Sequence, residues 1–272
     1  VADDEVHIGV FALNNQQPGE RISIFSDVLP QEKSARKKCK PDLEALVFLA
    51  AGQHFSFGAL LALGSGSTAQ RRRAAVMALD ESGAIHGPVQ TLDLAPLFLV
   101  LETHFVDLNI EGALVINEQL VLMQRGNQQH PRSALIFCQI EHVLQLLQGR
   151  AVDFAAVMKI VDCALPLVNG VLLSFTDGAL LPDGNILFSA VAENTQDSYR
   201  DGECVGAALG VITPAGRLLC CHPLAQVHKI EGIALHVLNG RREILLVTDA
   251  DAPAIPAALL QVSNAVDMFM VG

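Results

Sequence analysis

Asn109-Ile110-Glu111-Gly112-Ala113-Leu114-Val115-Ile116 places one carboxylate between a β-branched residue and a glycine, at the head of an apolar strand. Three other segments likewise put one carboxylate immediately before a small residue and the start of an apolar strand: Asp42-Leu43-Glu44-Ala45-Leu46, Phe175-Thr176-Asp177-Gly178-Ala179 and Lys229-Ile230-Glu231-Gly232-Ile233. The carboxylates Glu44, Glu111, Asp177 and Glu231 lie 67, 66 and 54 residues apart. That period exceeds the ~33–47 residues of helical solenoid units. It suits a four-stranded propeller blade with generous loops.

Outward from each acid run short apolar segments divided by turns rich in Gly, Pro, Asn and Asp, the mark of strands. After Glu44 come Ala45–Leu49, Ala59–Leu63, Ala74–Leu79 and Val89–Leu94. After Glu111 come Ala113–Ile116, Leu120–Gln124, Ser133–Ile140 and an apolar stretch from Val152. Asp177 is followed by Ala179–Leu181, Ile186–Val191, Gly206–Ile212 and Leu218–His222, and Glu231 by Ile233–Val237, Ile244–Thr248 and Ala258–Val262. Pro182-Asp183-Gly184-Asn185 and Asn239-Gly240 read as hairpin turns between first and second strands. His7–Leu13 fits the template of a third strand and Arg21–Phe25 that of an outer one. The chain is therefore expected to start inside a blade. The expected fold is a single all-β domain over residues 1–272, a β-propeller of about five blades, or six with further N-terminal strands, each of four antiparallel strands. Residues Glu141–Val168 also carry partial helical spacing, which predicts a local helix between blades.

Composition narrows the function. Hydrophobic residues make up 51% of the chain, yet the longest apolar window, Phe154 to Phe175, is broken by Lys159, Asp162 and Asn169. No run matches the ~18 apolar residues of a membrane-spanning helix, so no membrane role is expected. The formal net charge of −11 opposes nucleic acid as a partner, since phosphate contacts need a positive field. Six cysteines without CxxC spacing read as small buried hydrophobes rather than metal ligands. They favour a cytoplasmic over a periplasmic location, although the valine start leaves an upstream signal open. The sequence does not speak to oligomeric state.

If equivalent positions of the inner strands face one axis, Glu44, Glu111, Asp177 and Glu231 become a ring of acids. Clustered carboxylates raise one another's pKa and need compensation. A hard divalent ion, Ca²⁺ before others, is one solution, because it takes carboxylate oxygens and water. Pairing with Lys40 or Lys229 is a second, and backbone N–H donors are a third. A further constellation gathers at the ends of the second strands: Asp3, Asp4, Ser65, Ser67, Arg125, Asn127, Glu193, Asp249 and Asp251. Arg73 and Arg132 head the third strands, and with Arg125 they form a candidate anion seat beside the acids. The Glu193–Gly206 loop, with Asp197, Tyr199 and Asp201, is unusually polar and reads as a binding loop or a plain long connection. No histidine stands in a nucleophilic-triad pattern.

Several of these motifs together resemble an uncharacterised bacterial β-propeller family that is itself similar to the esterase-like phytase propellers. The matching residues include Lys40-Pro41-Asp42-Leu43-Glu44, Gly64-Ser65-Gly66-Ser67 with Arg71-Arg72-Arg73, Gln124-Arg125-Gly126-Asn127, Ser189-Ala190-Val191-Ala192-Glu193 and Val247-Thr248-Asp249-Ala250-Asp251. The resemblance implies a propeller and a bound calcium, and the phytase analogy reaches the fold alone. The leading expectation is a calcium-dependent hydrolase of a small anionic or phosphate ester. The alternative is a non-catalytic ligand- or protein-binding propeller whose central carboxylates are structural.

Overall fold

The apolar runs become strands almost residue for residue. The computed structural model describes residues 5–13, 17–195, 202–238, 241–249, 254–262 and 269. Strands β1 (His7–Val10) and β2 (Glu20–Ser23) form a hairpin. Strands β3 (Leu43–Leu49), β4 (Ala59–Gly64), β5 (Arg73–Ala78) and β6 (Gln90–Asp93) form the next sheet. A third comprises β7 (Ile110–Ile116), β8 (Gln119–Gln124), β9 (Ser133–Gln139) and β10 (Lys159–Cys163). The fourth holds β11 (Leu167–Val168), β12 (Val171–Leu180), β13 (Ile186–Asn194), β14 (Glu203–Ile212) and β15 (Leu218–Pro223). The last holds β16 (Ile230–Leu238), β17 (Arg241–Thr248) and β18 (Leu259–Val262).

In every sheet each strand pairs antiparallel with its predecessor, which is the meander of a propeller blade. The fold class is the expected one, an all-β propeller. Among the described residues there are five sheets, the first and last incomplete, as the strand alignment anticipates. Helix appears where partial periodicity predicts it, at Ile140–Gln145 and Phe154–Val157, before the chain returns to strand at Lys159. Val143, Leu144 and Phe154 are the buried anchors of these turns. Among the described residues no helix is long and apolar enough to cross a membrane. All six cysteines are free; Cys138 and Cys163 are buried, and burial pushes both thiols up to about 12. The Asn239-Gly240 turn lies outside the described residues.

The chain divides into two compact units, Val1–His104 with Gln139–Val157, and Phe105–Cys138 with Met158–Gly272. The first has its core where Ile8, Ile24 and Phe25 pack with Leu43, Ala62 and Met77. The second is a stack of three sheets. Leu114, Val121 and Leu135 pack against Phe175, Phe188 and Ala190, with the two phenylalanine rings edge-to-face at 5.2 Å. The other face of the β12–β14 sheet buries Leu187, Val191 and Leu209 against Ile233, Ile244 and Leu246. Coverage on both faces is why β13 is buried at every residue from Ile186 to Glu193, as a nearly continuous apolar run requires.

All four repeat motifs fall at a break in strand register. Glu44, Glu111 and Glu231 are each the extra residue of a β-bulge against the second strand of the sheet. A bulge bends the strand and re-aims one side chain, so the acid leaves the regular alternation. In the fourth sheet the extra residue is Thr176, and Asp177 pairs with Ser189. The glycine after Glu111 has its own reason. A Cβ at Gly112 would stand 2.7 Å from the Cα of Asp177 on the neighbouring inner strand. Gly112→Ala is therefore expected to cost ~1–3 kcal/mol, as overpacking does. Gly52→Ala, whose Cβ would come no nearer than 4.0 Å to other atoms, should fall within about 0.5 kcal/mol of wild type. Urea denaturation of the two variants checks this.

Candidate cation site on the inner strands

The site is built in the second unit by two bulges and one strand end. Glu111 is buried at the β7 bulge, where its Oε1 accepts a hydrogen bond from Asn109 Nδ2 at 2.5 Å. Its Oε2 accepts from Arg125 Nη1 at 3.0 Å. Arg125 follows β8, held by its backbone N–H on the Asn109 carbonyl at 2.8 Å. The Gln124 side chain braces the same corner, accepting from Asn109 N–H and donating to the Asp107 and Arg125 carbonyls.

The second Arg125 nitrogen, Nη2, donates to Glu193 Oε2 at the far end of β13. Glu193 Oε1 in turn accepts the backbone N–H of Gly202 at 2.6 Å. Burial pulls the Arg125 pKa down, but Glu111, Glu193 and Glu231 together hold it above the ordinary arginine value. The guanidinium is a fixed internal counter-charge.

Glu231 occupies the β16 bulge. One of its carboxylate oxygens lies within 4.8 Å of one from Glu111. Lys229 Nζ approaches Oε1 at 3.2 Å, without the alignment of a hydrogen bond, and that oxygen has no other hydrogen-bond partner. Burial pushes the Glu231 carboxyl up to about 7, with Lys229 pulling down and Glu111 pushing further up. Three carboxylates (Glu111, Glu193, Glu231) thus share two cations, Arg125 and Lys229.

Asp177 stands apart from this group. The bulge in its sheet falls on Thr176, whose hydroxyl meets Ser189 Oγ at 2.8 Å. Asp177 is one position further along, and its Oδ2 accepts the backbone N–H of Ile233 at 3.0 Å. Burial pushes the carboxyl up to about 7, against the opposing pull of the Ile233, Gly178 and Ala113 backbone amides. Among the described residues, the acids close enough to share an ion include Glu111 and Glu231 but not Asp177.

Glu44 belongs to the first unit, half-buried at its own bulge. Beside it in sequence, Asp42 is buried with a positive φ of 54°. Its carboxylate takes Lys40 Nζ at 2.8 Å, Arg71 Nη1 at 2.7 Å and Ser65 Oγ at 2.5 Å, while Ser67 Oγ accepts from Arg71. Sequence reasoning passed over Asp42 and Arg71. The Asp42-Leu43 start of the motif, two residues after Lys40, was the available signal.

The three arginines expected to seat an anion have separate environments. Arg125 is largely enclosed, at 11% side-chain exposure, between carboxylates. Arg73, in the first unit, pairs with exposed Asp27 at 2.7 Å and lies over Phe25. Arg132 pairs with exposed Asp162 at 2.7 Å and lies over Phe105. Of the second constellation, Arg125 and Glu193 meet, whereas Asn127 caps its own loop and donates to Asp107. Asp3, Asp4, Asp197, Tyr199, Asp201 and Asp251 lie outside the described residues.

Fold and site together define a β-propeller with acidic bulges on its inner strands. The chain belongs to a family of unknown function (DUF6910), whose model matches residues 36–253. No curated protein matches it. Among solved structures it is similar to a candidate gluconolactonase at 15% identity, covering 75% of this chain and 59% of that one, with a TM-score of 0.36. A gluconolactonase from Xanthomonas campestris is similar at 14% identity over 75% and 62%, TM-score 0.35. An apocarotenoid oxygenase mutant from Synechocystis is similar at 12% over 80% and 47%, TM-score 0.34. The chain spans about three fifths of the length of these gluconolactonases. The family match accords with the resemblance to a propeller family; these likenesses are to proteins other than phytases.

Proposed function

We propose that this propeller is a cation-dependent hydrolase of a small anionic ester, phosphate esters included, with Ca²⁺ held at Glu111 and Glu231. The observation that supports it is the carboxylate pair: Glu231 keeps a buried oxygen without a hydrogen bond, and oxygens of Glu111 and Glu231 lie within 4.8 Å of each other. Hard carboxylate oxygens suit calcium. When bound, such an ion polarises a carbonyl or phosphoryl oxygen and lowers the pKa of water. The chain's own part is to orient the ligands. Arg125 fixes Glu111 by one oxygen, and Lys229 stands over Glu231 without consuming it. Arg132, of the same unit, serves as an anion-steadying group, because leaving exposed Asp162 costs it only about 0–1 kcal/mol, the worth of an exposed pair.

A second reading has its own observation. Arg125 clamped between Glu111 and Glu193 is the ion-pair compensation that a purely structural cluster uses. Thermal melting in EDTA and in CaCl₂, with p-nitrophenyl phosphate and a p-nitrophenyl carboxylate as substrates, separates the two. The hydrolase reading expects Ca²⁺ to raise stability, by ~2.7 kcal/mol at a hundred times the dissociation constant. It expects turnover that is lost in Glu111→Gln. A shift without turnover supports a binding propeller, and the absence of any shift rules out the ion. Glu44→Gln, at the corresponding bulge of the first unit, tests whether that acid belongs to the same function.

A further inference from the structure

Neighbouring sheets of the second unit pack through side chains: β7 and β16 end their hydrogen-bond ladders, and β12 is paired beyond by β11 only at Val171 and Leu172, which leaves its Asp177 stretch an edge. One side chain crosses both boundaries. Asp177, on β12, accepts the N–H of Ile233 on β16 through Oδ2, and its Oδ1 lies against β7, 3.0 Å from where a Cβ on Gly112 would stand, beside the Ala113 amide that helps to hold its pKa down. Each of these amides lies two residues beyond a bulge glutamate, Glu111 or Glu231. The glycine on β7 makes room: a Cβ at Gly112 would strike the Asp177 backbone at 2.7 Å, whereas one at Gly232 would make only ordinary contact, 3.9 Å from Oδ2.

We propose that Asp177 is a positioning residue, a carboxylate tie between β7 and β16 that sets the separation of Glu111 and Glu231. The proposal rests on the cation reading above and assigns Asp177 a role other than ligand. The fourth sheet has traded its bulge acid for Thr176, which is satisfied internally by Ser189, and carries its acid one residue later. That shift takes the carboxylate off the bulge and puts it within reach of the unladdered amides of both neighbours. Two residues of strand span about 6.6 Å, a short and stiff link from each tied amide back to its glutamate. Bound from both sides, the two bulges have little freedom to splay, and the gap between their oxygens selects an ion by size.

Asp177→Asn is the test, because it keeps the shape but turns one acceptor into a donor facing backbone N–H groups. In EDTA, hydrogen exchange at the Ala113 and Ile233 amides is expected to quicken at least tenfold, while Val121 and Leu187 keep wild-type protection. In titrations of the folded protein with Ca²⁺ and with Mg²⁺, calcium affinity is expected to fall at least tenfold and the Ca²⁺ to Mg²⁺ preference to change. A merely structural loss would lower the melting temperature and leave that preference alone. Unchanged exchange at both amides overturns the tie, and faster exchange with unchanged ion preference overturns the positioning role. If wild-type protein binds neither ion, the cation reading and the positioning role fail together, and the exchange measurement still decides the tie. Gly112→Ala, which presses on the Asp177 backbone, is the second variant should Asp177→Asn not fold. It is expected to show the same changes, and wild-type exchange and ion preference in it overturn the proposal.

Discussion

Replacing Arg125 with methionine is expected to destabilise the protein by ~3–5 kcal/mol at pH 8 in EDTA, the cost of stripping a buried charge of its partner. Methionine fills much the same volume, so the loss isolates charge rather than packing. Glu111 and Glu193 would each keep one hydrogen bond, from Asn109 and Gly202, but no positive charge would lie between them. Two further observations must accompany the loss. Adding Glu193→Gln in the Arg125→Met background should restore part of the stability, since the pair shares one network and is not additive. Arg132→Met should cost no more than about 1 kcal/mol, because its pair with Asp162 is exposed. Urea denaturation of the four proteins measures all of this. Equal effects at Arg125 and Arg132 would refute the buried clamp.

The strand pattern was legible because both faces of these sheets are covered, so apolar runs end where turns begin. The repeat of an acid before a small residue was legible too, and it marks the bulges. What the sequence could not show is that a bulge position can move by one. Thr176-Asp177-Gly178 looks like Ile110-Glu111-Gly112 shifted to match its acid, whereas the backbone matches Thr176 with Glu111. Register is a property of the paired strand, here Ser189 and Ala190 on β13, and no single segment encodes it. Among the triple arginines, Arg71 is the buried one and Arg73 is half-buried, facing an exposed partner. The Ala69–Arg71 turn, which carries Arg71 inward to Asp42, has no hydrophobic periodicity to reveal it. Arg125 with Glu193 was recoverable from position alone, since both lie at ends of second strands that share a face.

The protein in EDTA is also expected to be more stable at pH 5.5 than at pH 8, against the usual trend for an acidic chain. Most carboxylates with a perturbed value, such as Asp27 beside Arg73, are held below the normal range, and they add stability as pH rises past about 4. Asp177 and Glu231 act in the other direction. Burial holds both near 7 in the folded protein, so the folded state keeps protons that the unfolded chain releases near 4. Their contribution is full at the acid end, declines as pH climbs from about 4 to 7, and is gone above. A loss of roughly 2–4 kcal/mol between pH 5.5 and 8 follows, at about 1.4 kcal/mol for each tenfold difference in proton affinity and with allowance for relaxation. Two interventions divide it. Asp177→Asn removes one titrating group and should flatten the profile by its share. Calcium at pH 8 should restore the share of Glu231 if the ion binds there, because a divalent charge favours the ionised carboxyl that burial disfavours. A profile that still falls equally steeply in Asp177→Asn, and is unmoved by calcium, would mean that neither acid is as dry as its surroundings make it.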